Sequence, residues 1–532
     1  MKQFPTSLFR VAFVLGGLAL AHALPGRSES GKPNILWITS EDNSPFLGCY
    51  GDKNATTPNL DQLAREGFRY THAFANCPVC AAARNTIITG VYAASNGNEQ
   101  MRSTYPSSKA IRAYSALLME AGYYCTNNSK TDYNTSSIDP AAVWDESSET
   151  AHYKNRPDGK PFFAIFNLME SHESRIFPPG AMFGQPSGPV VPKHNPAAMV
   201  LPPYHPDIPA MRHDWAVYYD QMEIMDARVG ELLRELDALG EADNTIVFYY
   251  ADHGGVLARS KRYIYETGTR VPFILRIPEK YKALFPGTGP GTTVDRMVSF
   301  IDLAPTLLSL VGTDIPEYMQ GDVFLGPDAT PEPRYVHLSR QRMDERIDMA
   351  RAVRDKKYRY IRNYMPFRIP MQHLAFLFLA PSAQAWEDAF RSGHLTDVQQ
   401  IPFLPKPLEE LYDTENDPWE VKNLANDPAY REVLERMRAE NKAWMGSIRD
   451  VGLVPETMYA EFMGEGSMYD YMRSKDCPFD ELLEAAEKAT LPQADMEAYA
   501  TYLKHRHPAI RYWGVTGILA HPAYASEPPK PL

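Results

Sequence analysis

The sequence predicts an α/β protein with a large, mixed, mostly parallel sheet flanked by helices. A smaller antiparallel subdomain and a helical tail are expected to follow it. Three observations support this fold class. Long apolar runs alternate with helical patterns, as in βαβ units. The 532 residues exceed what one small core requires. After about residue 330 the runs become shorter, with polar turns between them.

The main sheet is predicted from continuous apolar runs, which are typical of strands buried on both faces. These runs lie at residues 32–39, 162–169, 244–250 and 271–276. Helical spacing of apolar residues occurs at residues 57–67, 214–239 and 302–311. The first helix starts with Thr57-Pro58 and closes at Gly67, which are ordinary start and stop signals.

The second half of the chain predicts shorter elements. Residues 335–338 and 358–361 indicate strands, and residues 428–445 indicate a charged helix. A pattern at residues 505–513 is similar to one HEAT-type unit, which cannot bury its own face and should dock on the main domain. The predicted parts are a signal peptide (1–23), an α/β domain (31–330), an antiparallel subdomain (331–450) and a helical extension (451–532).

The first residues resemble an export signal. Lys2 and Arg10 supply positive charge, residues 11–20 form an apolar core, and residues 21–23 offer a small-x-small cleavage site. An uncleaved anchor is the alternative, although the apolar run is short for a membrane span. We therefore expect a periplasmic or extracellular protein without stable membrane insertion.

Charge and cysteine content exclude other classes. The net charge of −12 disfavours a nucleic-acid-binding protein, but it allows a locally basic site for an anionic substrate. Five cysteines in 532 residues do not form a disulfide scaffold. Cys77 and Cys80 form a C-x-x-C, for which a redox pair and half a zinc site are alternatives. No second C-x-x-C supports either alternative.

Polar clusters follow three of the predicted strands. They are Glu41-Asp42, Ser171-His172 and Asp252-His253. Because functional residues gather at the carboxyl ends of parallel strands, we expect these clusters to converge on a metal or catalytic site. Carboxylate oxygens suit calcium. The histidine leaves magnesium, manganese and zinc as alternatives.

An ordered series of motifs then identifies a family. From Cys80 the chain reads CAAAR and continues to Thr89-Gly90; TPNLDQLAREG precedes it, and ADHGG and SKRYIYETGTRVP follow. Over residues 32–424 this series resembles the type I formylglycine-dependent sulfatases of the alkaline phosphatase superfamily. The phrases NNSKTDYN and MESHES look most like bacterial relatives of heparan N-sulfatase. The resemblance implies an alkaline phosphatase-like fold and hydrolysis of sulfate esters or N-sulfates of carbohydrates.

The resemblance also implies residue roles. A formylglycine-generating or anaerobic sulfatase-maturing enzyme would oxidise Cys80 to 3-oxoalanine (Cα-formylglycine), whose hydrate supplies the nucleophile. Arg84 would stabilise that nucleophile, and Lys130 and Lys261 would neutralise the sulfate. His172 would protonate the leaving oxygen or nitrogen. Calcium is the expected metal, and its implied ligands are Glu41, Asp42, Cys80, Asp252 and His253.

The chain departs from the family pattern in four places. Three are single substitutions of the common family residue: Glu41 for aspartate, Ala82 for proline and His253 for asparagine. The fourth is the family's lysine-x-histidine, which reads Lys130-Thr131-Asp132. The histidine that would deprotonate the hydrated aldehyde is absent, so either Asp132 takes that role or Tyr133 reshapes the site.

Four arginines follow the first subdomain strand: Arg340, Arg342, Arg346 and Arg351. Arginine binds carboxylate and sulfate groups through paired donors, and Arg346 is the predicted substrate-binding residue. A solvated charged face is the alternative, because Asp344, Glu345 and Asp348 are interleaved. The substrate is thus expected to be a sulfated carbohydrate, with its sugar unassigned.

Two other functions remain open from the sequence. A phosphodiesterase or phosphonate hydrolase of the same superfamily would share the metal cluster and could share formylglycine. An inactive carbohydrate-binding relative is the second, and the missing histidine is its main support.

Overall fold

The computed structural model describes residues 31–181, 191–490 and 496–521. The predicted signal peptide lies outside these residues. The described residues from Pro33 onward form one compact unit. Within the described ranges, no helix combines the length and apolar character needed to cross a membrane.

The large sheet has eight strands in the order β4-β3-β5-β1-β6-β7-β2-β8. Its strands are β1 (Asn34–Ser40), β2 (Phe68–Phe74), β3 (Tyr124–Asn128), β4 (Glu146–Ser147), β5 (Phe162–Leu168), β6 (Thr245–Ala251), β7 (Phe273–Arg276) and β8 (Thr292–Ser299). Every pairing is parallel except those of β7, which runs antiparallel to β6 and β2. The predicted mixed, mostly parallel sheet is therefore confirmed.

Helices cover the sheet and connect its strands. In the α/β part they are α1 (Pro58–Glu66), α2 (Cys80–Thr89), α3 (Ala93–Asn96), α4 (Tyr114–Glu120), α5 (Pro140–Val143), α6 (Pro209–Ala238), α7 (Glu266–Thr269) and α8 (Leu303–Val311). Later helices are α9 (Pro381–Arg391), α10 (Asp397–Gln400), α11 (Arg431–Ile448), α12 (Tyr459–Met463), α13 (Met468–Arg473), α14 (Phe479–Ala489), α15 (Met496–Tyr502) and α16 (Pro508–Ala520).

The central strand β1 shows why its sequence is apolar throughout. Leu36 and Ile38 belong to the core on one face of the sheet, which includes α6. Ile35 and Trp37 belong to the core on the other face, which includes α4 and α8. Because alternate side chains point to opposite faces, a strand with a core on each side needs apolar residues at every position.

The smaller sheet is antiparallel, with the order β12-β11-β10-β9. Its strands are β9 (Val336–Arg340), β10 (Ala350–Arg354), β11 (Tyr358–Asn363) and β12 (Glu409–Asp413). The helical tail shares a hydrophobic cluster with Tyr364 and Met445. The ring centroids of Trp513 and Tyr364 lie 5.9 Å apart, so the tail packs against the antiparallel subdomain. The limits assigned to the separate parts of the chain stay a prediction.

Several strands of the large sheet were not predicted from the sequence. Strands β2, β3 and β8 contain polar and charged residues, such as Arg69 and Asp295, that interrupt an apolar run. Arg69 is half-buried and Asp295 is exposed because β2 and β8 lie toward one edge of the sheet, whereas the polar Asn127 of β3 is buried. The predicted strand at residues 271–276 is shorter, as β7, and its antiparallel direction was not foreseen.

Candidate active site

The carboxyl ends of two central strands carry four predicted site residues. β1 and β6 are parallel and end level with each other, with Ser40 opposite Ala251. The next residues along the chain are Glu41-Asp42 and Asp252-His253, and all four side chains are fully buried. Strand pairing thus brings three carboxyl groups and one imidazole to the same edge of the sheet.

Cys80 is the first residue of α2 and is fully buried. Arg84 lies one turn later, so both side chains lie on one face of the helix. Its guanidinium donates to Glu41, to Asp252 Oδ2 at 3.3 Å and to Asn167 Oδ1 at 2.7 Å. These bonds fix α2 to the strand ends and hold Cys80 beside the carboxylates.

Two lysines reach the same carboxylates from different loops. Lys130 follows β3 and its Nζ donates to Glu41, whereas Lys261 Nζ lies 3.0 and 2.8 Å from the two oxygens of Asp42. Burial alone would lower the pKa of Lys261, but the carboxylates of Asp42 and Glu173 outweigh burial and raise that pKa. The ammonium group therefore stays charged in a dry environment.

Nearby positive charges offset the buried carboxylates to different degrees. Burial would raise the pKa of Glu41, but Lys130 and Arg84 hold it well below its usual range. Burial and the charge of Glu41 together raise the pKa of Asp252. The negative charge of Asp252 is therefore less well compensated than that of Glu41, and an additional positive charge beside Asp252 would be stabilising.

His253 is oriented as a potential metal ligand. Its Nδ1 lies 2.8 Å from the Gly254 carbonyl, which only accepts, so this nitrogen carries the hydrogen in the neutral ring. Nε2 lies 3.0 Å from Asp42 Oδ1 and 3.7 Å from Asp252 Oδ1, without hydrogen-bond geometry to either. Burial would lower the pKa of His253, but the carboxylates of Asp252 and Asp42 raise it to about 10, so without a metal Nε2 also carries a proton, and a bound cation would take the place of that proton.

Among the described residues, the donor atoms form two groups, and each group is compact enough to hold a cation. Ligand atoms of Cys80, Asp252 and His253 lie within 4.8 Å of one another, and so do those of Glu41, Asp42 and His172. Oxygen donors predominate, which fits calcium, and the imidazole nitrogen is compatible with the alternatives. The residues present thus fit a divalent metal.

His172 approaches this cluster from the segment after β5. Its Nδ1 lies 2.9 Å from Ser174 Oγ, and its Nε2 lies 3.4 Å from Lys261 Nζ. Burial and the charge of Lys261 lower the pKa of His172 to about 4. The ring is therefore neutral at neutral pH unless an anion offsets that charge.

Two predicted site residues are not joined to this cluster by a described contact. Asp132 has a left-handed backbone (φ 48°), and its Oδ2 is buried without a hydrogen-bond partner among the described residues. Arg346 is exposed, and its Nε donates to the His373 carbonyl at 2.6 Å. It forms a short β-bridge with Met343, which packs in one hydrophobic cluster with Cys80.

The other arginines of the basic stretch form internal ion pairs: Arg340 with Asp348, Arg342 with Glu456 and Arg351 with Asp450. Arg340 and Arg351 are buried. They therefore belong neither to a solvated charged face nor to a surface that binds substrate. Their charges stabilise the packing of the small sheet instead.

The C-x-x-C does not form a bonded pair. Cys77 Sγ lies 3.1 Å from Ser339 Oγ, whereas Cys80 groups with Asp252 and His253. All five cysteines are free. The two cysteines therefore have different surroundings, which argues against both the redox pair and the half zinc site.

The structure adds three polar residues that the sequence analysis missed. Asn167 accepts from Arg84, Glu173 bonds Lys261 at 2.7 Å, and Arg262 bonds Glu173. Glu173 and Arg262 are sequence neighbours of His172 and Lys261, and that adjacency was the available signal. Asn167 lies inside an apolar strand, where a lone polar residue could have been noticed.

Two family models match parts of this sequence. Residues 33–313 match the family model described as Sulfatase. Residues 256–371 match the model described as N-sulphoglucosamine sulphohydrolase, C-terminal.

Two relatives and one solved structure illustrate the similarity. The chain is 37% identical to an ulvan-active sulfatase of Formosa agariphila, over 82% of this chain and 78% of that one. It is 25% identical to the N-sulphoglucosamine sulphohydrolase of Homo sapiens, over 78% and 90%. A phosphonate monoester hydrolase from Silicibacter pomeroyi shares the fold, with a TM-score of 0.54, 19% identity and coverage of 82% and 99%.

Proposed function

Because the chain belongs to the sulfatase family, we propose that it hydrolyses sulfate esters or N-sulfates of carbohydrates with formylglycine made from Cys80 and a divalent cation. One observation carries the chemistry. Cys80 is buried at the start of a helix, beside Arg84 and the carboxylates that Lys130 and Lys261 also bind. This is a dry, cationic site for a small anion.

The proposed chemistry divides between the modified residue, the cation and the fixed charges. Formylglycine would supply an oxygen nucleophile and calcium would polarise it, with Glu41, Asp42, Asp252 and His253 as the ligands. Lys130 and Lys261 bind the sulfate oxygens and neutralise the charge that develops on them. Preorganised charges of this kind often provide the largest catalytic contribution.

His172 is the proposed proton donor to the leaving oxygen or nitrogen, through Nε2. Its pKa of about 4 in the free protein reflects burial and the nearby charge of Lys261. A sulfate bound to Lys261 offsets that charge and shifts the pKa upward, toward the working range of a general acid. Substrate binding would thus prepare the ring for proton transfer.

Asp132 remains the proposed base in place of the absent histidine. Its buried Oδ2 has no partner among the described side chains, so the oxygen retains its capacity to accept a proton. The residue lies two positions after Lys130, whose ammonium bonds Glu41. Replacement of Asp132 by asparagine should lower turnover more than sulfate binding.

Arg346 is the proposed substrate-binding residue outside the reaction centre. It is exposed on a hairpin whose Met343 packs in the same cluster as Cys80. Exposed guanidinium donors beside the site suit a second sulfate or a carboxylate on the glycan. We therefore propose uronate-containing or multiply sulfated carbohydrates as the substrates.

The competing functions can be separated by one matured preparation. The likeness to a phosphonate hydrolase shows the fold alone, so 4-nitrophenyl sulfate and phosphate esters should be compared directly. Faster turnover of the phosphate ester would refute the sulfatase proposal. Glycan binding without turnover, in protein with a verified aldehyde, would identify an inactive relative.

Maturation and export are further parts of the proposal. The CAAAR motif suits oxidation by a formylglycine-generating or anaerobic maturing enzyme. Residues 1–23 suit export of the protein. Peptide mass spectrometry across residue 80 tests this directly, and the mature amino terminus tests cleavage after residue 23. A Cys80→Ala protein is the matched control, and an unmodified thiol in protein from the native host would remove the proposed nucleophile.

A further inference from the structure

Glu173 lies at the centre of a buried ion-pair network beside the site. Its Oε1 lies 2.7 Å from Lys261 Nζ, and its carboxylate accepts two bonds from Arg262 at 2.7 and 3.0 Å. Its backbone amide donates to Asp42 Oδ2 at 2.7 Å. Because the side chain is 2% exposed, water does not replace any of these partners.

Lys261 bonds two carboxylates, of which one is also a proposed metal ligand and the other is not. Asp42 holds the ammonium at 2.8 Å and is also a proposed metal ligand. Glu173 holds the same ammonium from another direction and is not among the metal-ligand groups of the described residues. Glu173 is therefore the carboxylate partner of Lys261 that a cation does not share.

Glu173 is itself prevented from moving. Arg262 is fully buried, and its Nε donates to Asp344 Oδ2 at 2.7 Å. Asp344 belongs to the hairpin between β9 and β10, so the small sheet anchors the outer end of the network. A bidentate arginine contact fixes direction as well as charge.

We propose that Glu173 is a positioning residue that fixes the Lys261 ammonium where it meets the sulfate oxygens, a role that rests on the proposed sulfatase function. Without the Glu173 charge, the attraction of Asp42 remains unopposed and draws Lys261 toward the metal site. The Lys261 ammonium group then remains in the site but lies in the wrong position. A misplacement of about 1 Å in an active site can cost about 100-fold in rate.

The test compares matched variants after their aldehyde content and thermal unfolding have been checked. We expect Glu173→Gln, which keeps shape and removes charge, to lower kcat for an aryl sulfate about 10- to 100-fold. KM should change by less than about threefold, because an interaction specific to the transition state is affected. Glu173→Asp should recover part of the loss, since it restores the charge.

Glu484→Gln is the control, because it makes the same substitution in an exposed ion pair of α14, with Lys488, outside this network. We expect it to keep kcat within about threefold of wild type. A crystal structure of Glu173→Gln with sulfate should show Lys261 Nζ closer to Asp42. An ammonium at its wild-type position would overturn the proposal, even if activity had fallen.

A double-variant cycle supplies the sharpest test. If Glu173 acts through Lys261, then Glu173→Gln should have less than about threefold effect in a Lys261→Ala background. A full, multiplicative loss in that background would refute positioning. Failure of the proposed function is distinguishable, because the wild-type protein would then not turn over aryl sulfates at all.

Discussion

Replacement of Arg351 by methionine should destabilise the protein without changing how it binds substrate. Arg351 and Asp450 are both fully buried and form two hydrogen bonds, at 2.6 and 2.8 Å. After the change, the amide of Gly452, at 2.9 Å, would be the one hydrogen-bond donor left to the Asp450 side chain among the described residues. Leaving a buried charge without its partner costs about 3–5 kcal/mol.

The expected change in melting temperature follows from the size of the folded unit. Unfolding entropy is about 2 cal/mol/K per residue, hence about 1 kcal/mol/K for roughly 500 residues that unfold together. The midpoint of thermal unfolding should therefore fall by about 3–5 °C. Differential scanning calorimetry at one scan rate measures it, and KM of the remaining folded enzyme should equal the wild-type value.

Two variants make this reasoning testable. Arg351→Met with Asp450→Asn removes both charges but keeps an oxygen for the Gly452 amide, so it should be more stable than Arg351→Met alone. Exposed Arg346→Met should change stability by less than about 0.5 kcal/mol and raise KM only for anionic glycans. A wild-type midpoint for Arg351→Met would refute the structural role of this pair.

Three further outcomes are expected. Lys130→Ala and Lys261→Ala should each lower kcat/KM for an aryl sulfate about 100- to 1,000-fold at unchanged aldehyde content, and near-wild-type rates would contradict their placement at the sulfate. Chelation should lower both activity and the unfolding midpoint, and calcium should restore both; unaffected unfolding would argue against a metal bound by the strand-end carboxylates. Burial raises the pKa of Glu99 from 4.5 to about 8, although the Tyr459 hydroxyl opposes this shift. The folded state thus favours the protonated acid, so stability should decline as pH rises from about 4.5 through about 8, and Glu99→Gln should flatten that decline in a thermal-unfolding series.

Strand positions and chemistry were accessible from the sequence to different degrees. The runs around Trp37 and Phe248 predicted buried strands because a core on both faces demands apolar residues throughout. The strand containing Arg69 was missed because its pattern is mixed. The direction of β7 was also missed, since a four-residue strand carries no signal for parallel or antiparallel pairing.

The candidate site divides in a similar way. Parallel pairing predicted that Asp42 and Asp252 would converge, and the motif order brought Cys80, Lys130 and Lys261 into the same hypothesis. The sequence did not separate Arg346 from Arg351, because both are arginines in one stretch with interleaved acids. Only packing shows that one guanidinium is exposed and the other is bound to Asp450.

The sequence by itself determined the family, the proposed nucleophile and the acids at the strand ends, because these depend on residue identity and local spacing. The tertiary structure alone decided which charged side chains form ion pairs with each other. Glu173 contacts Lys261 and also bonds Arg262, which lies 89 residues away in the chain, and Asp344 reaches Arg262 from the other sheet. Such pairings depend on how distant loops fold together, since ion-pair energies follow distance and burial and leave no periodic trace in the chain.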